Sequence, residues 1–323
     1  MRRLRNRRPP ALLPLLILGG MLVLAVCGRK GRGIETFSGP TMGTTWSLRS
    51  AEAGEHVRRL VQEHLDRREA VLSHWRKDSA VGRFNQVSST DWQPVPRELV
   101  EVVRLARRIA DDTEGALDIT LAPVIEAAGF APPAGPATTV TGWRHLQVRD
   151  EPPALKKDVP ELRINVASVT EGFVIDELAG MLKARGLKNF LLEVGGEVCA
   201  AGLAPGGRSW WAGIQDPGAP QGEVLQQVPV SDLALSTSGT YRHQKDGRSH
   251  LIDPRTLRPV AHELASVTVL HPSCALADGY ATALMVLGPE RGRAVAERLE
   301  LRVIWITQEQ ACPEGTRHDS MAE

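Results

Sequence analysis

The stretch CALADGYATALMV, Cys274 to Val286, predicts a buried helix and sets the interpretation of the rest of the chain. Most of its residues are apolar, yet Asp278 and Thr282 lie inside it. Residues four apart on a helix project from one face, so a carboxylate and a hydroxyl are stacked together. Such hard oxygen donors suit Mg²⁺. The structural alternative is that Asp278 binds first-turn amides and that Thr282 bonds back to a carbonyl.

Strand-like stretches lie on both sides of this helix. ASVTVLH (265–271) precedes it and LRVIWIT (301–307) follows it. Composition and flanking turns predict further strands at 44–50, 162–168, 189–194, 197–202 and 210–217. Apolar spacing predicts further helices at 57–72, 99–110 and 172–185. Because strands mostly follow strands, we expect an α+β fold with a largely antiparallel sheet.

The amino terminus has the layout of a bacterial export signal. Arginines without any acidic residue precede an apolar run in MRRLRNRRPPALLPLLILGGMLVLAVC, and that run is short for a membrane span. LAVC resembles a lipobox, which predicts a lipoprotein tethered through Cys27. Val26 stands where a small residue is usual, so an uncleaved anchor and a cleaved signal are alternatives. All three place the body of the protein on the periplasmic side of the inner membrane.

The composition is that of an ordinary globular protein. Hydrophobic residues make up 42% and charged residues 24% of the 323 residues, and the net charge of +1 gives no indication of nucleic-acid binding. Beyond Cys27, the cysteines are Cys199, Cys274 and Cys312, an odd number without metal-ligand spacing. We therefore predict neither a disulfide framework nor a zinc site.

A second chemically suggestive segment is SHLIDPRTLRP, where His250 and Asp253 flank a turn and Arg255 and Arg258 follow. Histidine can act as a general base, and arginine can hold phosphate. The alternative is a plain turn with solvated arginines. The chain contains neither the dinucleotide-binding GxGxxG nor the P-loop GxxxxGK[ST], so those phosphate-binding folds are not predicted.

Eight segments in order along the chain, from about Phe37 to Thr307, resemble the ApbE-type FAD:protein FMN transferases. They are MGT (42–44), LSHWRKDSAVGRFN (72–85), TEGALDIT (113–120), ASVTEG (167–172), EVGGEV (193–198), STSGTYRH (236–243), SHLIDPRTLRPV (249–260) and SVTVLHPSCALADGYATALMVLG (266–288). The last two are the most specific, because many fixed positions agree at fixed spacing. The resemblance implies a T-fold-like α+β domain with helices packed on an antiparallel sheet.

The resemblance also implies roles for individual residues. It implies that Asp278, Thr282 and Ser168 hold a Mg²⁺ that engages the pyrophosphate of FAD. The flavin-contacting residues that it implies are Met42, Trp75, Ala116, Leu117, Asp118, Asn165, Glu171 and Ile252. His250 would lie close to the phosphates and is the first candidate for the catalytic base, with Asp278 as the second.

The reaction implied by the resemblance is the transfer of FMN from FAD to a threonine hydroxyl of an acceptor protein, with release of AMP. Membrane redox subunits are the acceptors that it suggests. A Mg²⁺-dependent FAD pyrophosphatase and a non-catalytic FAD-binding lipoprotein are the alternatives. The predicted organisation is a signal peptide or anchor at 1–26, a tether at 27–36, the flavin transferase domain at 37–308 and a disordered tail at 309–323.

Overall fold

The computed structural model describes residues 33–219, 223–242 and 244–311. The predicted signal or anchor, most of the tether, Cys312 and the rest of the predicted tail lie outside the described residues. The chain is already in a strand at Glu35 and still helical at Ala311, so the folded part extends past 37–308 at both ends. Across the described ranges, no helix is both long enough and apolar enough to cross a bilayer.

Seven α-helices are present in the described residues. They are α1 (Glu55–Leu72), α2 (Ala80–Gln86), α3 (Arg97–Asp112), α4 (Ala122–Ala127), α5 (Ala167–Ala184), α6 (Cys274–Arg298) and α7 (Gln308–Ala311). Short 3₁₀ turns lie at Ile119–Leu121 and Trp143–His145. The helix α6 is broken at Gly288, whose φ of 78° is non-helical, and Pro289 follows it.

The strands described by the structure form one large sheet and several small ones. They are β1 (Glu35–Thr41), β2 (Thr44–Ser50), β3 (Gln93–Pro94), β4 (Leu146–Arg149), β5 (Ala154–Lys157), β6 (Phe190–Val194), β7 (Glu197–Ala201), β8 (Trp210–Gln215), β9 (Val224–Val230), β10 (Leu233–Gly239), β11 (Gln244–Lys245), β12 (Arg248–Ser249), β13 (Ile252–Asp253), β14 (Arg258–Pro259), β15 (Leu264–His271) and β16 (Arg302–Thr307). The large sheet has the order β1-β2-β6-β7-β10-β15-β16, and every neighbouring pair in it is antiparallel.

The two faces of the large sheet are covered differently. Helices α1, α3, α5 and α6 contribute to the main hydrophobic core on one face. The β8–β9 hairpin covers the other face and forms a second, smaller core with residues of β6, β7, β10 and β15. Cys199 and Cys274 are buried free thiols in this layered arrangement, as small core residues would be.

One predicted strand is wrong. The stretch 162–168 does not join a sheet: residues 162–166 form a buried segment outside any helix or strand, and α5 then begins at Ala167, five residues before its predicted start. The backbone of Ile164 is satisfied by one side chain, because Asn85 Nδ2 donates to its carbonyl and Asn85 Oδ1 accepts from its N–H, both at 2.8 Å. At Ile164 a side chain therefore takes the place of a neighbouring strand.

A buried lysine supports the same segment. Lys157, at the end of β5, is 0% exposed, and its Nζ donates to the Leu162 carbonyl at 2.9 Å. The ammonium group also lies 5.1 Å from the centre of the Phe84 ring. Burial lowers the pKa of Lys157 from 10.5 to about 8, since the charged form loses its hydration.

The lowered pKa of Lys157 predicts how the free energy of unfolding depends on pH. Between pH 8 and 10.5 the unfolded chain binds a proton at Lys157 that the folded protein does not, so the free energy of unfolding should rise with pH across that window. We expect the wild type to gain about 2 kcal/mol relative to Lys157→Met between pH 7 and pH 10. Urea unfolding of both proteins at the two pH values measures this, and a constant difference would contradict it.

Candidate functional site

One predicted metal-binding residue, Asp278, lies where α5 crosses α6. A Cβ built on Gly172 would lie 2.5 Å from the Cys274 carbonyl oxygen and 2.8 Å from Asp278 Cβ, so only glycine allows this approach. At the crossing, the Gly172 N–H donates to Asp278 Oδ2 at 3.1 Å. Ser168 lies one turn before Gly172 on α5, which places it on the helix face directed toward α6.

Asp278 does not cap the first turn of its own helix. That role belongs to Ser273 and to Asp176 of α5, which accepts hydrogen bonds from Cys274 N at 2.8 Å and Ala275 N at 3.1 Å. The Asp278 side chain is instead buried at the crossing, with 6% exposure. The structural alternative considered for Asp278 is therefore wrong.

Thr282 lies one turn further along α6, on the same face as Asp278. Its hydroxyl is 3.0 Å from the hydroxyl of Ser238 on β10, and either oxygen can donate. Two strand positions earlier, Ser236 donates to Glu197 Oε1 at 3.3 Å. Alternate residues of a strand share a face, so β10 presents both serines toward α6.

Three buried carboxyl groups and the half-buried Glu171 converge on this crossing. Burial raises the pKa of Asp278 well above its usual range, and the nearby carboxylates of Glu197 and Glu171 raise it further. Burial also raises the pKa of Glu171 to about 8 and the pKa of Glu193 to about 7. The pKa of Glu197 is raised for the same reason. Four acidic groups drawn together in a desolvated place have an unfavourable electrostatic energy unless protons or cations compensate them.

Two tight turns border the acidic group. Met42 and Gly43, both with positive φ, form the β1–β2 turn, and Gly195 and Gly196 form the β6–β7 turn. A Cβ built on Gly195 would lie 3.3–3.4 Å from atoms of Glu197, Glu171 and Thr44, so the two turns and α5 meet there. This contact brings the turn that contains Met42 to the residues around Asp278.

Arg242 opposes the negative charge from the other side of the double-glycine turn. Its Nη1 donates to the Gly195 carbonyl at 3.4 Å and would lie 2.6 Å from a Cβ on Gly196. Its charge lowers the pKa of Glu197 and Glu193, although burial still dominates both. The segment after β10 is thereby attached to the acidic group.

Asp118 and Asn165, two of the predicted flavin contacts, lie on neighbouring segments. Asp118 Oδ1 accepts from Thr120 N at 2.8 Å and Oδ2 accepts from Trp143 N at 3.2 Å, while Asn165 N donates to Ile119 O at 2.7 Å. Burial raises the pKa of Asp118. Its described contacts are those of a residue that stabilises the turn. The side chains of Ala116 and Leu117 are buried in the main core.

His250 lies between β12 and β13, where Phe130 approaches it. The two rings meet edge to face, with centroids 6.2 Å apart and planes at 65°. Ile252 is buried in the following short hairpin, and Val260 N donates to Leu251 O at 2.9 Å to close it. Asp253 accepts two hydrogen bonds from the Arg255 guanidinium, at 2.7 and 2.9 Å, which holds the turn.

Trp75 is the one predicted flavin contact that is largely exposed. It is 61% exposed, in the loop after α1, and its described contacts are with Ser73 and His74 of the same loop. One face of the Trp75 ring is therefore exposed, and the described contacts of Trp75 include none of the other predicted flavin contacts.

Sequence reasoning missed several residues of this site. Glu193, Glu197, Ser236, Ser238 and Arg242 belong to quoted motifs, but none was predicted individually. A signal was present in EVGGEV, where glutamates flank a double-glycine turn between two apolar strands. Their convergence on α6 depends on strand order, which the motif does not contain.

The donor set fits a hard divalent cation. In the described part of the chain, no group of three or more His, Cys, Asp or Glu side chains has the geometry of a metal site. The predicted set contains one carboxylate and two hydroxyl-bearing residues, Asp278, Thr282 and Ser168, which are donors of the kind that Mg²⁺ accepts. A bound cation would also stabilise the charged form of the surrounding carboxyl groups, whose pKa values are raised in its absence.

The close crossing gives a prediction with a matched control. Gly172→Ala forces a methyl group against backbone and Asp278, and should lower the free energy of unfolding by about 1–3 kcal/mol. Gly180 lies on the same helix with nothing within 4 Å of a built Cβ, so Gly180→Ala should raise it by up to about 1 kcal/mol. Denaturant unfolding measures the free energy of unfolding of both variants. Equal changes in the two variants would contradict a close contact between α5 and α6 at Gly172.

Comparison with known proteins identifies the family. The model of the ApbE family matches residues 42–305, which is most of the chain. The chain belongs to the ApbE family. The FAD:protein FMN transferase of Vibrio cholerae serotype O1 is 37% identical over 318 residues, which cover 91% of this chain and 93% of that protein. The protein of the same name from Klebsiella pneumoniae is 38% identical over 320 residues, 91% of each.

Solved structures of ApbE proteins share the fold. The flavin transferase ApbE from Vibrio cholerae matches with a TM-score of 0.77 at 36% identity, covering 85% of this chain and 94% of that chain. The apo form of the Pseudomonas stutzeri flavinyl transferase ApbE gives 0.76 at 35% identity, covering 86% and 92%. These findings confirm the predicted family, the α+β fold and the predicted class of enzyme.

Proposed function

We propose that this protein transfers FMN from FAD to a threonine hydroxyl of an acceptor protein and releases AMP. The observation that carries the proposal is the buried Asp278 carboxyl, stacked with Thr282 on one face of α6 and facing Glu171 and Glu197. A protein that only stored FAD would have no need for such an electrostatically costly group. The names of the ApbE relatives support the same activity.

The reaction we propose is a phosphoryl-type displacement. The threonine oxygen forms a bond to the FMN-side phosphorus of FAD, the bond from that phosphorus to the bridging oxygen breaks, and AMP leaves with that oxygen. His250 accepts the proton of the threonine hydroxyl. The edge contact with Phe130 restricts the orientation of its ring.

Asp278, Thr282 and Ser168 would hold Mg²⁺, which when bound neutralises charge on the pyrophosphate. The chain's own residues position the rest. The Met42 and double-glycine turns form one border of the site, and Glu171 approaches from α5. Trp75 offers an exposed aromatic face for a flavin or adenine ring. Asp118, Asn165 and Ile252 are further proposed contacts of the flavin.

The remaining parts of the proposal concern location and partners. We propose export through the amino-terminal signal and tethering to the periplasmic side of the inner membrane through Cys27. The acceptor would then be a membrane redox subunit with an exposed threonine. Because the enzyme and such an acceptor would both be confined to the membrane surface, the effective concentration of the acceptor near the enzyme would be raised.

The test uses the full chain in mild detergent, with FAD, MgCl₂ and the purified domain of a membrane redox subunit that carries FMN on threonine in its native host. We expect flavin fluorescence on the denatured acceptor band, none with EDTA, and none on an acceptor whose target threonine is alanine. Free FMN and AMP without labelled acceptor would favour the pyrophosphatase. Unchanged FAD with every divalent cation would favour the binding protein.

A further inference from the structure

A buried ion pair lies beside the site without belonging to it. Arg163 and Glu126 are 5% and 7% exposed at their side chains, and the guanidinium meets the carboxylate with two bonds, Nη2–Oε2 at 2.7 Å and Nε–Oε1 at 3.3 Å. Arg163 Nη1 also donates to the Pro136 carbonyl at 3.0 Å. Desolvation offsets much of the attraction in such a pair, so its main contribution is a fixed geometry.

Glu126 lies one turn before Phe130 in the chain. It lies on α4, which ends in a Schellman motif: Gly129 N donates to Glu126 O at 2.9 Å and Phe130 N donates to Ile125 O at 3.1 Å. Gly129 has the required left-handed φ of 81°. The backbone of Phe130 is therefore fixed within one turn of Glu126, and its ring reaches His250.

Arg163 lies on a different segment, just before α5. It belongs to the buried segment that leads through Asn165 into α5 and Ser168. The segment itself is rigid, because Asn85 and Lys157 satisfy its backbone. The ion pair thus joins the rigid base of α5 to the short helix that ends against His250.

We propose that the Arg163–Glu126 pair is a positioning device for His250 and acts through the ring of Phe130. The role of His250 as base rests on the proposed function, whereas its placement by Phe130 does not. When the pair is broken, α4 can shift and the His250 ring loses its edge contact. A displacement of about 1 Å in a catalytic group costs up to about a hundredfold in rate.

The test compares Glu126→Gln, Phe130→Leu and the double variant in the flavin transfer assay. We expect each single variant to lower kcat by about tenfold to a hundredfold with KM for FAD little changed. If the pair acts through Phe130, the double variant should be no slower than the slower single variant. Phe130→Tyr keeps the ring and should retain kcat.

A second readout does not depend on turnover. In protein labelled with ¹³C at histidine Cε1, the His250 resonance is assigned by its loss in His250→Asn. We expect Phe130→Leu and Glu126→Gln to move this resonance in the same direction, because both remove the ring current of Phe130 from the imidazole. If the wild type transfers no flavin, the proposed function fails, but this spectrum still decides the placement of His250.

The matched control is Glu177→Gln, which breaks the two-bonded Arg68–Glu177 pair, with 2.6 and 2.8 Å contacts, between α1 and α5. It should lower the melting temperature without moving the His250 resonance or kcat. The proposal is overturned if Glu126→Gln behaves like this control, or if the effects of Glu126→Gln and Phe130→Leu on kcat multiply in the double variant.

Discussion

Asp278→Asn is expected to reduce flavin transfer about a thousandfold or more while the protein still folds. The amide keeps the size of the side chain and an oxygen that can accept from Gly172 N–H, so the α5–α6 crossing is retained. It removes the only carboxylate in the predicted metal set. The rate of covalent labelling of the acceptor at saturating MgCl₂ measures the loss, and the melting temperature checks the fold.

The control for this variant is another acidic residue that contacts α6. Asp112 accepts a hydrogen bond from the Tyr280 hydroxyl at 2.6 Å, two residues from Asp278 along the helix. Asp112→Asn should lower the free energy of unfolding by about 1 kcal/mol and leave the labelling rate unchanged. If Asp278→Asn retained a tenth of the wild-type rate, the central role given to this carboxylate would be wrong.

His250→Asn is expected to lower kcat by about 10²–10⁴-fold with little change in FAD binding. Loss of a general base removes proton transfer from the threonine hydroxyl without removing contacts to the pyrophosphate. The pH profile separates this role from a structural one, since the rise of kcat on the acidic side should disappear in the variant. Stopped-flow labelling over a range of pH measures it, with FAD affinity followed by flavin fluorescence.

His145 provides the comparison, because it lies on the surface with its Nδ1 3.9 Å from Asp158. His145→Asn should keep both kcat and the pH profile. If His250→Asn kept the acidic limb of the profile at a reduced rate, the proton would pass to another group. Asp278, the second candidate from the sequence, would then be the residue to test.

Much of the framework follows from local sequence patterns. The helix from Cys274, the strands on either side of it and the oxygen pair of Asp278 and Thr282 could be predicted, because helix and strand periodicities are properties of neighbouring residues. The order of eight motifs was sufficient for the family, and through the family for the expected positions of His250 and Ser168. Each of these inferences uses residues that are close in the chain or aligned with a known pattern.

The prediction of a strand at 162–168 failed for a physical reason that lies outside that segment. Its mostly apolar residues have the composition of a strand, but the backbone of Ile164 and the Leu162 carbonyl bond to side chains. Asn85 and Lys157 supply these hydrogen bonds, and Asn85 lies 79 positions away from Ile164. A periodicity argument cannot distinguish a neighbouring strand from a distant amide group, because both leave the same local pattern.

By itself the sequence determined the family, the α+β class and the residue types that can hold a cation. The tertiary structure alone decided that Glu171, Glu193 and Glu197 gather beside Asp278. It also decided that the Arg163–Glu126 pair connects the segment before α5 to α4. Desolvation and charge–charge interaction act through space and depend on which groups packing brings within a few ångströms. Spacing along the chain carries no information about those distances.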